Sequence, residues 1–315
     1  MKDAVPEHID DIRTSVAPLA FVDAHHHFQD LANNPYPWLS QRDRPPQLEG
    51  DLEPIRRDYL PSDYRRDVAG ADVRKTVHVE NGWDRNDPVG ETLWLDCLIR
   101  QSGQPTAIVA HADLADPRVE EVLERHKAAS SALRGIRQIL NWHANPALRT
   151  ASSADLMERT AWRNGFALLQ AYDLSFDLQI YWQQMEQALV LARAFPNTTL
   201  ILDHFGMPID RTVVGVHAWA TALWRLAQAP NVAVKLSGFG LGHPNWTASD
   251  TVPLLTRTIE IFGPERVMVG TNLPVDRLFA RGSMILHAIA QAVSHLSERE
   301  AYAVLSGTAE RLYRI

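Results

Sequence analysis

The sequence contains a single cysteine, Cys97, among 315 residues. One cysteine excludes an internal disulfide and a cluster of thiolate metal ligands, and it is typical of a cytoplasmic protein. Long apolar runs are absent as well. No segment approaches the roughly eighteen apolar residues of a membrane span, and the first residues lack the apolar stretch of a signal peptide. We therefore expect a cytoplasmic protein without a membrane partner.

Runs of lysine and arginine are also absent, and 38 acidic against 31 basic residues give a formal net charge of -7. Phosphate-backbone binding requires a basic face, so we expect no nucleic-acid partner. The apolar fraction of 45% is ordinary for a globular protein. A small-molecule substrate is therefore the expected partner, and the sequence indicates no oligomeric state.

Short β-rich runs are present, and they alternate with helix-length segments such as Trp182–Phe195 and Ser283–Ala301. Alternation of this kind predicts parallel βαβ units, and a count of eight favours a closed α/β TIM barrel. No G-x-G-x-x-G follows the first run, which disfavours a doubly wound sheet. The predicted strands are Leu19–Ala24, Lys75–Glu80, Thr106–Ala110, Gly135–Leu140, Ser175–Ile180, Thr199–Leu202, Val232–Leu236 and Arg266–Val269.

The predicted barrel domain spans residues 18–315, after a polar N-terminal extension over residues 1–17. Residues 29–64 contain six prolines and are too long for a routine strand-to-helix connection. We expect this insertion to fold over the mouth of the barrel as a lid.

The first candidate site motif is Val22–Phe28, which ends in three histidines at the close of the first strand. Side chains two apart on a strand point to the same side, so His25 and His27 face the barrel interior and His26 points away. Two convergent imidazoles suit a divalent metal or a polarised carbonyl. A surface histidine cluster is the alternative.

Two further motifs close the sixth and eighth strands. Asp203 and His204 follow Leu200–Leu202, and the alternative to a site is a capping aspartate beside a core histidine. After the eighth strand, the polar candidates are Asn272 and Asp276, for which a turn and a helix cap are the alternatives.

Arg137, near the end of the fourth strand, is a candidate clamp for a substrate carboxylate or carbonyl oxygen, with a surface salt bridge as the alternative. Trp38 lies in the segment expected to cap the mouth. The second-rank candidates end strands 2, 5 and 7, and they are Glu80, Gln179, Lys235 and Ser237.

Together these motifs resemble the amidohydrolase 2 family, and most closely its branch of sugar-acid lactonases and 2-pyrone-4,6-dicarboxylate lactonase. The likeness runs from about Phe21 to Tyr313. The matching pieces are Asp23–His27 followed by Asn34–Trp38, Leu133–Arg137, Phe176–Ile180, Asp203–Gly206, Lys235–Gly238 and Gly270–Asp276.

The resemblance implies a distorted TIM barrel that hydrolyses a carbonyl compound, with His25, His27 and His204 as carried-over site residues. In the superfamily, the first-strand histidines and an aspartate on strand 8 hold a divalent metal that activates water. This chain has Gln179 on strand 5 where metal-rich members place a histidine, and Asn272 where many place the aspartate. One zinc-like ion on His25, His27 and His204, or no metal, is therefore the expectation.

The working hypothesis is lactone hydrolysis. His25, His27 and Arg137 would polarise the ester carbonyl, and His204 or Asp276 would take a proton from water. Trp38, Gln179 and Asn272 are expected to contact the substrate with Arg137. The alternatives are a metal-dependent decarboxylase of the same superfamily and a barrel that binds a small acid without turnover.

Overall fold

The computed structural model of the protein describes residues 18–42 and 48–315. Its eight strands form one parallel sheet in the order β1 to β8. Backbone hydrogen bonds from His27 N to Leu273 O and from Asn272 N to His25 O, each 2.7 Å, join the ends of β1 and β8. The predicted TIM barrel is confirmed. The strands are β1 Ala20–His26, β2 Asp72–Val79, β3 Ala107–His111, β4 Leu133–Ile139, β5 Ser175–Gln179, β6 Leu200–Leu202, β7 Val232–Leu236 and β8 Val267–Val269.

All eight strands lie where the sequence predicts them, with ends displaced by at most three residues. The prediction for β7 is identical to the observed strand, whereas β1 continues through His25 and His26. A register shift between Asp23 and His26 accompanies that continuation. The polar end of β1 therefore pairs with β2, as its apolar start does.

Helices cover the outside of the barrel. The segment predicted as helical over Trp182–Phe195 is a 3-10 turn followed by a helix, and the prediction of one helix over Ser283–Ala301 is wrong. Ser297 caps a new helix there by accepting from Glu300 N. The helices are α1 Pro37–Ser40, α2 Pro61–Asp67, α3 Gly90–Ser102, α4 Val119–Ala129, α5 Thr160–Ala171, α6 Met185–Ala194, α7 Val213–Leu226, α8 Ala248–Phe262, α9 Gly282–Val293, α10 Glu298–Tyr302 and α11 Thr308–Tyr313.

Two apolar cores follow from the alternation of side chains along each strand. The inner core fills the barrel and includes Val22, Ile201, Met268 and Tyr313. The outer core lies between the sheet and the helices and includes Trp162 and other large aromatic residues. Outside these two apolar layers, polar side chains gather at the C-terminal ends of the strands.

The predicted lid segment lies between β1 and α2, and an antiparallel bridge between Gln29 and Tyr59 draws its two ends together. Trp38 in α1 donates from Nε1 to Asn81 O at 2.7 Å, which ties the segment to the loop after β2. The predicted extension over residues 1–17 lies outside the described residues. In the part of the chain that the structure describes, no helix has the length and apolar character to cross a membrane.

Candidate active site

A cavity of about 180 Å³ opens at the C-terminal ends of the strands, where barrel enzymes place their catalytic groups. A recess of about 750 Å³ between α2 and α9 is larger, but it is lined by none of the predicted site residues. Position at the strand ends therefore favours the smaller cavity as the site. Its wall includes six predicted residues, namely His27, Trp38, Arg137, Gln179, His204 and Asn272.

The three histidines at the end of β1 separate as their alternation predicts. The rings of His25 and His27 lie 5.1 Å apart, and the ring of His204 is 4.7 Å from that of His25. His26 instead packs against Phe28 and Tyr64 on the other side of the strand. All are buried, and burial is the main reason that the pKa of His27 and that of His204 fall to about 3. The site imidazoles are therefore neutral at pH 7.

His204 lies in a backbone turn of unusual conformation. His204, Phe205 and Met207 have φ values of 53°, 41° and 48°, in the left-handed region that side chains rarely adopt. Gly238, on the loop after β7, permits this placement, because a Cβ there would lie 2.5 Å from His204 Nδ1. His204 Nδ1 pairs with Ser237 Oγ at 3.0 Å, which leaves Nε2 as the ring nitrogen available to the cavity. Such strain is typical of functional sites.

Asp203, which sequence reasoning weighed as a cap, belongs to the site. One ligand atom each from His25, Asp203 and His204 can be chosen so that all three lie within 4.8 Å of one another. His25 Nε2 and Asp203 Oδ2 are buried without a hydrogen-bond partner among the described residues. Two imidazoles and a carboxylate form a zinc ligand set with a fourth position left for water or substrate. The residues therefore fit a divalent metal, although the set differs from the predicted one by containing Asp203 and not His27.

His27 is engaged elsewhere. Its Nδ1 donates to Val79 O at 2.7 Å, and its Nε2 lies 3.2 Å from Asn272 Oδ1. The Asn272 amide also donates to Asp276 Oδ1 at 3.3 Å. Asn272 has a φ of 55°, a conformation that asparagine tolerates. His27, Asn272 and Asp276 therefore lie in one row of polar contacts at the end of β8.

Asp276 is fully buried behind Asn272 and does not line the cavity. Its Oδ2 accepts from Phe239 N at 3.0 Å, and burial raises its pKa to about 7. The structure thus places this predicted catalytic residue one step away from the substrate space, where it anchors the Asn272 amide.

Arg137 is held rather than free. Its Nε donates to Glu80 Oε1 at 3.1 Å and its NH1 donates to Gln179 Oε1 at 3.1 Å. Arg85 approaches the other oxygen of Glu80 at 3.2 Å. Burial alone would raise the pKa of Glu80, but Arg85 and Arg137 outweigh it and lower that pKa far below its usual value. One carboxylate between two guanidinium groups leaves this cluster with a net positive charge.

Sequence reasoning missed Arg85 because it lies in a loop, six residues after the end of β2, with no motif around it. Asp203 could have been ranked higher, since it stands beside His204 directly after three apolar strand residues. Glu80 and Lys235 were second-rank predictions, and the structure buries both completely. The complete burial of these two charged side chains is visible only in the structure, so the sequence could not have raised their rank.

Residues 22–315 match the sequence profile of the family described as Amidohydrolase. The chain belongs to that family. The resemblance stated from the motifs is thereby confirmed, and the chain is a hydrolase of the amidohydrolase superfamily.

Amidohydrolase relatives match nearly the whole chain. The uncharacterized protein y4mH of Sinorhizobium fredii is 38% identical over 300 residues, which are 95% of this chain and 100% of that protein. An L-fucono-1,5-lactonase of Burkholderia multivorans is 28% identical over 306 residues, covering 93% of this chain and 96% of the lactonase. A crystal structure of a Burkholderia multivorans amidohydrolase with bound zinc superimposes with a TM-score of 0.78 at 26% identity, covering 94% of this chain and 99% of that one.

Proposed function

We propose that this amidohydrolase is a lactonase that opens a small lactone, such as that of a sugar acid, by attack of water on the ester carbonyl. One observation carries the proposal: a neutral imidazole, His204, and an anchored guanidinium, Arg137, line the same small cavity. An imidazole can take a proton from water, and a guanidinium can stabilise charge that develops on a carbonyl oxygen. The 28% identity to an L-fucono-1,5-lactonase supports the same reaction.

The substrate would lie between Arg137 and the histidines. Glu80 and Gln179 hold the Arg137 guanidinium in place at the cavity wall, so a substrate would meet it without the cost of ordering a free side chain. Trp38 closes the outer wall. Arg137 would also bind the carboxylate that ring opening produces.

His204 Nε2 is the proposed proton acceptor when the site lacks a metal. Hydrolysis adds the water oxygen to the ester carbon, and the ring oxygen leaves with a proton returned by the same imidazole. His25, Asp203 and His204 would hold a divalent ion, which when bound supplies a water of pKa lowered towards about 7. Asn272 and Asp276 would keep the His27 ring in its orientation.

The test is a pH-indicator assay over L-fucono-1,5-lactone, other aldonolactones and a pyrone-dicarboxylate lactone, with protein both metal-stripped and supplied with zinc. Turnover that survives stripping assigns His204 as the base, and turnover that needs zinc assigns it as a ligand. His204→Asn should abolish turnover in either case, by about a thousandfold or more. His217→Asn, the same substitution on the exposed face of α7, is the matched control and should leave kcat unchanged.

The proposal would be overturned if the wild-type protein hydrolysed none of the lactones, either metal-stripped or supplied with zinc. Carbon dioxide release from an aromatic acid under those conditions would establish the decarboxylase in its place.

A further inference from the structure

Beneath the cavity, the inside of the barrel contains a row of buried polar groups that the proposed chemistry does not use. Lys235 on β7 is completely buried, and its ammonium contacts Asp177 Oδ2 on β5. The same Nζ lies 3.2 Å from Asp203 Oδ1 and 3.4 Å from His25 Nδ1. One ammonium thus joins the barrel interior to two members of the candidate metal site.

The row continues to the C-terminal helix α11. Tyr313 is completely buried in the inner core, and its hydroxyl lies 3.0 Å from Asp177 Oδ1 and 2.9 Å from Oδ2. The phenol donates, because a carboxylate only accepts. The Lys235 ammonium also lies 5.5 Å from the centre of the Tyr313 ring. Contacts therefore run without a gap from α11 through Asp177, Lys235 and Asp203 to His25.

Stability alone does not explain this row. Barrel interiors are ordinarily filled by branched apolar side chains, and exchanging a buried ion pair for apolar residues is often neutral or stabilising. Here two carboxylates face one ammonium, so the interior carries an excess negative charge. What the row does supply is a fixed partner for His25, whose Nε2 is buried without a partner among the described residues.

The proton on His25 decides what that Nε2 can do. Asp203 Oδ1 lies 3.3 Å from His25 Nδ1 and can only accept, so this contact requires a proton on Nδ1 and leaves a lone pair on Nε2. Lys235 can only donate, so its 3.4 Å contact with Nδ1 is a hydrogen bond only in the opposite tautomer. The position of the Asp203 carboxylate therefore selects between a His25 whose lone pair is on Nε2 and one whose lone pair is on Nδ1.

We propose that Lys235 is a positioning residue that holds the Asp203 carboxylate against His25 Nδ1, so that His25 presents the lone pair of Nε2 to the site. Asp177 and Tyr313 hold the Lys235 ammonium in turn. The effect on turnover rests on the proposed lactonase function, whereas the effects on the His25 tautomer and on metal affinity do not. Partners of metal ligands ordinarily change metal affinity or activity by about 10- to 100-fold when removed.

The direct test is the His25 tautomer of the metal-free protein, read from the ¹⁵N shifts and couplings of ¹⁵N-histidine-labelled protein, with His25→Gln to assign the signal. The proposal expects a proton on Nδ1 in the wild type. A proton on Nε2 would mean that Lys235 donates to the ring, and it would overturn the proposal without any activity measurement.

The second test removes the ammonium. Lys235→Met alone leaves two unpaired buried carboxylates and is expected to fold poorly. The double variant Lys235→Met with Asp177→Asn keeps the buried formal charge at -1, because one positive and one negative charge are lost together. Tyr313 can still donate to the new amide oxygen.

In the folded double variant, we expect zinc affinity and kcat to fall about 10- to 100-fold, while KM changes less than twofold because Lys235 does not line the cavity. If that variant keeps the zinc affinity and kcat of the wild type, Lys235 is only a member of a structural ion pair and the proposal is wrong. If neither protein opens any lactone, zinc affinity and the His25 tautomer still decide the proposal, so its failure is separable from that of the lactonase function.

A milder variant keeps the proposal falsifiable if the double variant does not fold. Tyr313→Phe removes only the hydroxyl on Asp177 and should lower zinc affinity severalfold. Tyr302→Phe is the matched control, since its hydroxyl donates to Glu310 Oε2 at 2.8 Å on the protein surface. Equal zinc affinities in the two variants would exclude a part for Tyr313 in holding Lys235.

Discussion

Asn272 is the residue at which this site departs most clearly from a metal-rich amidohydrolase. Its amide lies between His27 Nε2 and the Asp276 carboxyl group. The His27 contact is a hydrogen bond in the observed orientation only when Nε2 is protonated, yet burial lowers the pKa of His27 to about 3. A half-turn of the amide pairs neutral His27 with the amide nitrogen and requires a protonated Asp276, whose pKa is about 7. The orientation of the Asn272 amide therefore depends on the protonation of both His27 and Asp276, although these two side chains do not contact each other.

Asn272→Asp tests whether this position faces a metal. A carboxylate is a better zinc ligand than an amide, and aspartate also tolerates the left-handed backbone there. We expect zinc affinity to rise at least tenfold, an effect of about 1.4 kcal/mol, and the metal-free protein to lose stability above pH 7 because two carboxylates then lie together. Isothermal titration with zinc and thermal unfolding measure the two effects. Asn81→Asp adds the same charge elsewhere on the cavity wall, and an equal gain in that variant would contradict the prediction.

Among single residues, the strand-end histidines and Arg137 were predictable because alternation along a strand decides which side chains point inward. The contribution of Asp203 was ranked too low, because an aspartate after a strand was weighed as a cap although it stands beside His204. The place of Asp276 depended on a turn whose direction no periodicity encodes. The sequence therefore indicated which residues lie near the site, but not which of them line the cavity.

At the scale of elements, the strands were predictable from short apolar runs between turn residues, and all eight formed. The helix after β8 was predicted as one segment because apolar spacing continues across Ser294–Ser297. Ser297 instead caps a separate helix, so α9 ends at Val293 and α10 begins at Glu298. Capping chemistry thus fixed a boundary that periodicity alone misplaced.

The segment between β1 and α2 remains a lid by prediction, and Trp38 offers its test. Trp38 lines the cavity and donates to Asn81 O, and Gly82 leaves room for it, since a Cβ at Gly82 would lie 2.6 Å from the indole. Trp38→Ala should raise KM about tenfold with a smaller change in kcat, because the outer wall is lost and the histidines are untouched. Steady-state kinetics on the best lactone measures this.

Trp94→Ala is the control for Trp38. Trp94 packs against the same small apolar cluster without lining the cavity, so its loss should lower stability and leave KM unchanged. A KM that rises equally in both variants would indicate general loosening and count against a lid.

At the scale of the whole molecule, burial of histidine governs stability against acid. Burial lowers the pKa of seven described histidines below the ordinary value of 6.5, and they are His25, His26, His27, His78, His111, His126 and His204. Four buried carboxyl groups act in the opposite direction. Burial raises the pKa of Asp23, and it raises the pKa of Asp177 to about 6, of Asp276 to about 7 and of Glu91 to about 8.

The sign of the effect follows from counting protons. Between about pH 4 and pH 6.5, the unfolded chain binds protons at histidines that stay neutral in the folded protein. The histidines outnumber the carboxyl groups that gain protons on folding, so the free energy of unfolding should fall as pH falls through this window. Urea unfolding at pH 7, 6 and 5 in the metal-free protein measures it. A free energy of unfolding that stays constant or rises would refute the neutral assignment.

The closure of the barrel between β1 and β8 has a consequence for how the protein is made. β1 is synthesised long before Asn272, which completes its hydrogen bonding. The 245 residues between His26 and Asn272 take roughly 12–50 s to translate at about 5–20 residues per second. Throughout that time, the β8-facing edge of β1 emerges from the ribosome with no partner. An unpaired edge is a template for association with other chains. The nascent protein should therefore need protection by a chaperone at this edge, and the residues of the candidate site should come together only in the last step of folding.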